Sequence, residues 1–414
     1  MLDESVENRS ALLLTGDNSV GGALRRQREA LGLDHSAVSR HAGVSVKDLI
    51  RIESGDADDL SMADIERIAF TIGLDEAQLA FRPGLAGGAI AGRLKTLQTD
   101  SPGMGLRQLT AKTVTTLTEA ASVIRTQYQL QESLGLIGGA RRFDPVDDYG
   151  NISTPAWKVG YLLAGEARTE LGLANRPLTS MREFVEMVLG IPVVQAELPQ
   201  RIAGATIAVS DGELHPKRGI VLNTTGANKI PLVRRATLAH EVGHLLFDPD
   251  QRLESVRVDS YASLIANPEQ TGPVDYVEQR ANAFAISFLA PVDAVRSLLD
   301  PPLSEDDVTG IASMFGVSAT AARFHVENAF YKNHPVPSID SSSIDTSEWH
   351  FAEEFLYFPV ADAPIARWGR FAGLVVAAWK ENLVSLSTAA AYLNCDDEEF
   401  LASAEHIESM HPVE

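Results

Sequence analysis

Two segments of the chain carry apolar side chains at the spacing of an α-helix with one buried face. Residues 234–247 contain good helix formers and no internal proline, and Asp248-Pro249 ends the pattern. The apolar positions of this segment are Leu238, Val242, Leu245 and Leu246. Residues 275–291 repeat the pattern with Ala281, Phe284, Ala285, Phe288 and Leu289. Both segments are therefore predicted to be helices with a buried side.

The N-terminal segment predicts a compact bundle of short helices. The pattern favours helices over 23–32, 34–42, 46–54, 62–72 and 75–80. A turn at 43–45 separates the second helix from the third, and Gly55 ends the third. Ser45 and Asp48 have the spacing of a capping box at the start of that third helix. This order is typical of a helix-turn-helix domain, which we place at residues 18–82.

The remaining segments are also largely helical in pattern. Residues 83–153 are predicted to be a helical linker region that begins with a glycine- and alanine-rich stretch at 84–92. Within it, residues 106–134 favour a helix that packs in a core or joins two chains in a homodimer. Residues 345–414 are predicted to form a C-terminal helical module of regulatory or architectural use, with strand-like character at 355–358.

Candidate chemistry lies in the first of the two apolar-faced helices, at His240-Glu241-Val242-Gly243-His244. Four residues make about one helical turn, so the two histidines project from the same face. Two imidazoles placed in this way bind one zinc ion, and Glu241 lies close enough to activate a water molecule there. The alternative is an ordinary helix with two solvated histidines, which fits the apolar surroundings less well. The motif therefore indicates a zinc peptidase.

The two histidines need a further ligand, because a catalytic zinc ion normally has three protein ligands and one water. Glu278 lies on the buried side of the second helix, where a carboxylate needs a partner such as a metal. The spacing equally allows a capping box, with Asp275 as the N-cap and Glu278 bonded to the backbone. Asp248, Asp250 and Glu254 are rival third ligands. The residues alone leave these alternatives open.

Composition restricts the class of protein and its compartment. The chain has 414 residues, and its single cysteine, Cys395, excludes an intrachain disulfide framework and fits a reducing cytoplasm. Asp3 and Glu4 oppose a secretory signal segment, and no apolar run is long enough to span a membrane. We therefore expect a cytoplasmic protein without a membrane partner. Nucleotide chemistry is not expected, because residues 84–92 lack the lysine of a phosphate loop.

Residues 157–325 resemble the ImmA/IrrE family of zinc metallopeptidases, whose characteristic pieces occur here in the same order. The pieces are 160–168, 191–194, 203–205, 219–223, the His-Glu-x-x-His helix, and Glu278-x-x-Ala281-Asn282-x-Phe284-Ala285. The resemblance implies a zincin-like metallopeptidase domain, placed at 154–332, with His240, His244 and Glu278 as Zn²⁺ ligands. It implies that Glu241 is the catalytic acid/base. With the short strands of that family, the fold class becomes mainly α with a small β-sheet (α+β).

The N-terminal segment resembles phage-repressor-type (XRE-like) helix-turn-helix domains, most specifically at 42–45 and 52–55. It departs from them at His35, where glutamine is usual. The presumed reading helix offers only Lys47 and Arg51 as cations. Residues 20–80 carry seven Lys and Arg against eleven Asp and Glu, a net charge of −4 in a chain of net charge −21. Because DNA affinity depends largely on phosphate neutralisation, this balance predicts weak non-specific binding.

Two interpretations of the N-terminal domain therefore stay open. A basic edge made of Arg25, Arg26, Arg28 and Arg40 would favour DNA. The competing interpretation is a protein-docking module, for example for a repressor with a similar domain. Lys47 and Arg51 are the candidate contacts in both cases.

Two functions from different classes follow. The first is a cytoplasmic zinc endopeptidase that cleaves a repressor-like transcription regulator, itself a helix-turn-helix protein, under stress or phage challenge. Substrates of this kind are implied by the ImmA/IrrE resemblance alone. The second is a DNA-binding transcriptional regulator in which the metallopeptidase fold is a sensor or scaffold. Glu241 beside a complete set of zinc ligands favours the first, because a scaffold needs no acid/base.

Overall fold

The computed structural model describes residues 19–55, 61–74, 110–136, 143–146, 154–200, 202–209, 217–248, 257–260, 276–353 and 358–413. The chain divides into two compact units. The first comprises Met1–Arg125, Ile207–Lys217 and Glu254–Arg257, and the second comprises Thr126–Thr206, Arg218–Leu253 and Val258–Glu414. The predicted helix over 75–80 lies outside the described residues. Most of the predicted strand-like segment at 355–358 also lies outside them.

Four short helices form the N-terminal part of the first unit. They are α1 (Val20–Ala30), α2 (His35–Ala42), α3 (Val46–Ser54) and α4 (Met62–Thr71). The Ser45 hydroxyl oxygen accepts the backbone N–H of Asp48 at the start of α3, and Gly43 and Gly55 end α2 and α3 in the left-handed conformation. Leu24, Val38, Leu49, Ile52 and Ile68 are at most 2% exposed and form the core of this bundle. The predicted helix-turn-helix arrangement is present.

Helix α5 (Ala111–Ser133) corresponds to the helix predicted over 106–134. Its apolar residues Val114, Leu117, Ala121 and Ile124 are fully buried. Their burial agrees with packing in a core, which was one of the two roles that the sequence allowed for this helix.

A small sheet of four strands accompanies the helices of the second unit. The strands are β1 (Val193–Ala196), β2 (Ile202–Val209), β3 (Lys217–Asn223) and β4 (Arg257–Ser260), in the order β1-β3-β2-β4. β1 and β3 run parallel, with Val193 opposite Ile220 and Ala196 opposite Asn223. Both faces of this pair are covered, because all residues of β1 and the centre of β3 are buried.

Helices make up most of the second unit. They are α6 (Ala156–Glu170), α7 (Met181–Glu183), α8 (Pro231–Phe247), α9 (Tyr276–Leu289), α10 (Val292–Leu298), α11 (Glu305–Phe315), α12 (Ala319–Ala329), α13 (Ser347–Glu353), α14 (Arg370–Lys380), α15 (Leu386–Leu393) and α16 (Asp397–Met410). A π-helical turn at Phe184–Val188 continues α7, and 3-10 turns lie at Gly226–Lys229, Ser341–Ser343 and Ile365–Arg367. Together with the small sheet, these elements confirm the predicted fold class, mainly α with a small β-sheet.

Two glycines allow α9 to pack closely against its neighbours. A Cβ added at Gly160 of α6 would lie 2.3 Å from the carbonyl oxygen of Arg280, and one at Gly243 of α8 would lie 2.8 Å from the Phe284 ring. A side chain at Gly160 would therefore displace the backbone of α9, and one at Gly243 would displace the Phe284 ring. These contacts fix α9 between α6 and α8, and so place the two predicted metal helices side by side.

Helix α13 belongs to the core of the second unit, although it lies in the range predicted as a C-terminal module. Ile344 and Trp349 are buried in the same hydrophobic cluster as the residues of α8 and α9. The guanidinium of Arg235 lies 4.2 Å from the centre of the Trp349 ring. None of the helices among the described residues combines the length and apolar character needed to cross a membrane.

Candidate metal centre

Helix α8 carries the His-Glu-x-x-His motif through the core of the second unit. Pro231 occupies its first position, where a missing N–H costs nothing, and the helix ends at Asp248, whose extended backbone precedes Pro249. His240 and Glu241 are fully buried, and His244 is 1% exposed. The Nε2 atoms of the two histidines lie 3.0 Å apart. The motif therefore aims two imidazole nitrogens at one point, as its spacing predicted.

Helix α9 brings the carboxylate of Glu278 to the same point. Its Oε2 lies 3.3 Å from Nε2 of His240, and its Oε1 lies 3.6 Å from Nε2 of His244. Among the residues that the structure describes, these three side chains form the one group with metal-ligand geometry, with ligand atoms within 4.8 Å of one another. Two imidazoles and one carboxylate are a donor set that suits zinc with one position left for water. Asp275, the N-cap of the competing capping interpretation, lies outside the described residues.

Asp248 faces the opposite side of the His244 ring. Its Oδ2 lies 2.9 Å from Nδ1 of His244, and its Oδ1 accepts a hydrogen bond from the guanidinium of Arg280. Asp248 therefore orients the ring so that Nε2 points at the cluster, and it does not act as the rival ligand that the sequence allowed. Its position four residues after His244 was the available signal for this contact. Asp250 and Glu254 lie outside the described residues.

The ionisable groups of the cluster shift one another's pKa values toward the charged forms. Burial alone would lower the pKa of His244, but the carboxylates of Asp248 and Glu278 raise it well above its ordinary value. Burial would raise the pKa of Glu278, but the nearby imidazoles of His244 and His240 lower it overall. The carboxylate is therefore held in its ionised form, which is the form that binds a cation.

Glu241 accepts a hydrogen bond from a residue of the neighbouring sheet. The hydroxyl of Thr206 on β2 donates a hydrogen bond of 2.6 Å to Oε2 of Glu241. Gly204, two residues earlier on the same strand, provides the space for Oε1, because a Cβ there would lie 3.1 Å from it. Thr206 is a functional residue that no local sequence pattern indicates, because its partner Glu241 lies 35 positions later in the chain.

The helix-turn-helix domain presents fewer cations to solvent than its sequence suggested, because Arg28 of α1 is buried. Lys47 is exposed, and the guanidinium of Arg51 lies 3.8 Å from the carboxylate of Asp48. Arg28, predicted as part of a basic edge, is 7% exposed and donates two hydrogen bonds of 2.7 and 2.8 Å to Glu53. That prediction is wrong for Arg28, because its guanidinium holds α1 to α3 instead of facing solvent.

Comparisons with known protein families agree with this architecture. Residues 19–81 match the family model described as a helix-turn-helix domain, and residues 189–327 match the one described as an IrrE N-terminal-like domain. The chain joins these two domains. A comparison with curated proteins gave no match. The IrrE-like domain is metallopeptidase-like, and its matched range contains His240, Glu241, His244 and Glu278. The helix-turn-helix domain contains Lys47 and Arg51.

Proposed function

We propose that this protein is a cytoplasmic zinc-dependent endopeptidase whose ligands are His240, His244 and Glu278 and whose acid/base is Glu241. The observation that carries the proposal is the convergence of the two Nε2 atoms and the Glu278 carboxylate at one buried point. The match to the IrrE N-terminal-like domain supports the peptidase class.

A bound zinc ion would supply Lewis-acid activation of the attacking water and of the scissile carbonyl. Glu241 directly follows His240 in the motif on α8, and we assign its carboxylate to the attacking water. It would accept the proton of the attacking water and then deliver it to the leaving amine. Asp248 contributes by holding the His244 ring through Nδ1. Burial of all these groups excludes bulk water from the proton transfer.

We further propose that the substrate is a transcription regulator with a helix-turn-helix domain of its own, cleaved in a response to stress or phage. The domain arrangement supports this choice, because the chain places a helix-turn-helix domain in front of the metallopeptidase-like domain. That domain would bring the substrate or its DNA site to the enzyme. The competing function is a DNA-binding regulator that uses the metal centre as a sensor, and the helix-turn-helix match supports it as well.

The decisive comparison is between the unmodified protein and Glu241→Gln. Both are purified, assayed for zinc, and incubated with a proteome-derived peptide library that is read by mass spectrometry. We expect about one zinc per chain in both proteins, and new peptide ends only with the unmodified protein. Zinc in both without any cleavage would favour the sensor function.

The substrate is sought by co-expressing either form with the proteins encoded beside it. We expect a cleaved product that appears only with the unmodified protein. A product that also appears with Glu241→Gln would remove the acid/base from the mechanism.

A further inference from the structure

Thr206 and Glu241 form a buried side-chain pair between the sheet and the motif helix. Thr206 is 1% exposed and Glu241 is fully buried. The distance from Oγ1 of Thr206 to Oε2 of Glu241 is 2.6 Å. An ionised carboxylate only accepts hydrogen bonds, so the hydroxyl is the donor, and a bond to a charged acceptor is stronger than one between neutral groups.

The same face of β2 meets both oxygens of this carboxylate. Residues 204 and 206 are two apart on the strand and therefore lie on one face. Gly204 lies next to Oε1 of Glu241. A Cβ added at Gly204 would also lie 3.2 Å from the carbonyl oxygen of Val221 and 3.3 Å from Cγ2 of Thr237. Any side chain at 204 would press on Oε1, whereas the hydroxyl at 206 attracts Oε2. Strand β2 thus leaves room for Oε1 at Gly204 and donates a hydrogen bond to Oε2 from Thr206.

We propose that Thr206 is a positioning residue for Glu241: its hydroxyl fixes Oε2, so that the carboxylate keeps one orientation toward the attacking water. This inference rests on the proposed peptidase function. A glutamate side chain has several rotatable bonds, so its carboxylate can adopt several orientations unless a hydrogen-bond partner fixes one of them. Proton transfer requires a base within hydrogen-bond reach in the correct geometry, and misplacement by about 1 Å can cost about a hundredfold in rate.

Two substitutions at this position separate the hydroxyl from the volume of the side chain. Thr206→Val replaces the hydroxyl by a methyl group of similar size, and Thr206→Ser keeps the hydroxyl and removes a methyl group. Kinetics are measured with the peptide that the library assay identifies as cleaved best. We expect kcat to fall about ten- to a hundredfold in Thr206→Val. KM and the zinc content should stay within about twofold, and Thr206→Ser should recover most of kcat.

A purely structural role would give a different result. Unchanged kcat in Thr206→Val would overturn the inference, and so would an equal fall in Thr206→Val and Thr206→Ser. In both cases the cleavage by the unmodified protein would still stand. If the unmodified protein cleaves nothing while it holds zinc, the proposed function fails first, and the positioning role of Thr206 in catalysis fails with it.

A second measurement tests the contact itself without any assay of activity. A double-mutant cycle compares the urea midpoints of the unmodified protein, Thr206→Val, Glu241→Leu and the double variant. We expect Thr206→Val to lower the midpoint clearly in the parent, where a buried carboxylate loses its donor, and to have little effect beside Leu at 241. Additive effects would show that the two side chains are not coupled and would overturn the inference.

Discussion

Arg235 and Glu353 form a fully buried ion pair: Nη1 of Arg235 lies 2.5 Å from Oε1 of Glu353, and neither side chain is exposed. The pair joins α8 to α13, five residues before the first histidine of the motif. Oε1 of Glu353 also accepts the backbone N–H of Met181, and Arg235 donates to the carbonyl of Leu178 at 2.7 Å. The pair thus holds two segments, α13 and residues 178–181, against the N-terminal half of the motif helix.

Removing one partner of this pair should destabilise the protein strongly. We expect Glu353→Ala to lower the free energy of unfolding by about 3–5 kcal/mol, because it leaves a buried guanidinium without its counter-ion. The double variant Glu353→Met with Arg235→Met should recover a large part of that loss. Urea unfolding measures both, with the exposed Glu348→Ala as the control. A loss below about 1 kcal/mol would show that the pair is dispensable.

Glu278 should be required for the metal and much less for the helix. We expect Glu278→Ala to weaken zinc binding by more than about a hundredfold, since it removes one of three protein ligands. Competition with a chromophoric chelator measures the affinity, and Gln279→Ala is the neighbouring control. The capping interpretation predicts the opposite pattern, a lower unfolding midpoint with the zinc affinity unchanged.

Asp248 should tune the metal site through His244. We expect Asp248→Asn to lower the zinc affinity about 10- to 100-fold, because a neutral amide holds the Nδ1–H group less firmly than a carboxylate does. The same chelator competition applies, with the exposed Asp293→Asn as the control. Equal affinity in the variant and the parent would show that the orientation of the ring does not depend on this contact.

His325 should make the stability of the second unit depend on pH. Its Nε2 donates to the carbonyl of Ala290 at 2.7 Å, Nδ1 accepts from the hydroxyl of Tyr161 at 2.8 Å, and burial lowers the pKa of His325 to about 4. In the unfolded chain the pKa is about 6.5, so the unfolded state binds a proton first as the pH falls. The contribution of this neutral histidine is therefore complete above about pH 6.5 and is lost as the pH falls toward 4.

We expect this group to remove about 2 kcal/mol of stability between pH 7 and pH 5. The difference in urea stability between these two pH values should be smaller in His325→Gln, which does not titrate in this range. The exposed His334→Gln should behave as the parent does. Identical pH dependence in His325→Gln and the parent would mean that the buried ring is not the group responsible.

The helix-turn-helix domain should bind DNA weakly and with a modest dependence on salt. Its net charge of −4 over residues 20–80 and the commitment of Arg28 to Glu53 leave few cations for phosphates. We expect Arg51→Ala to reduce the slope of log K against log salt by about one, and the exposed Arg67→Ala to leave it unchanged. Nanomolar binding with a steep slope at physiological salt would contradict this and favour the regulator function.

Local spacing within the chain determined the two helices and the direction of the histidines. His240 and His244 lie four residues apart, so any helix there aligns them, and the end at Asp248 follows from the restriction that Pro249 places on it. The caps and left-handed glycines of α2 and α3 are equally local, which is why the helix-turn-helix arrangement was predictable. Each of these features depends on residues fewer than five positions apart.

Only the tertiary structure decided which distant side chains meet. The packing of α9 against α8, permitted by Gly243, sets the carboxylate of Glu278 beside the imidazoles, a contact that the sequence spacing did not determine. Asp248 was a possible ligand until Arg280 and the Nδ1 side of His244 were found to hold it. Thr206 and Glu353 carry no local pattern at all, because their partners lie 35 and 118 residues away. Hydrogen bonds of this kind form where the packed core brings polar groups together out of water, and no periodicity in the chain records that meeting.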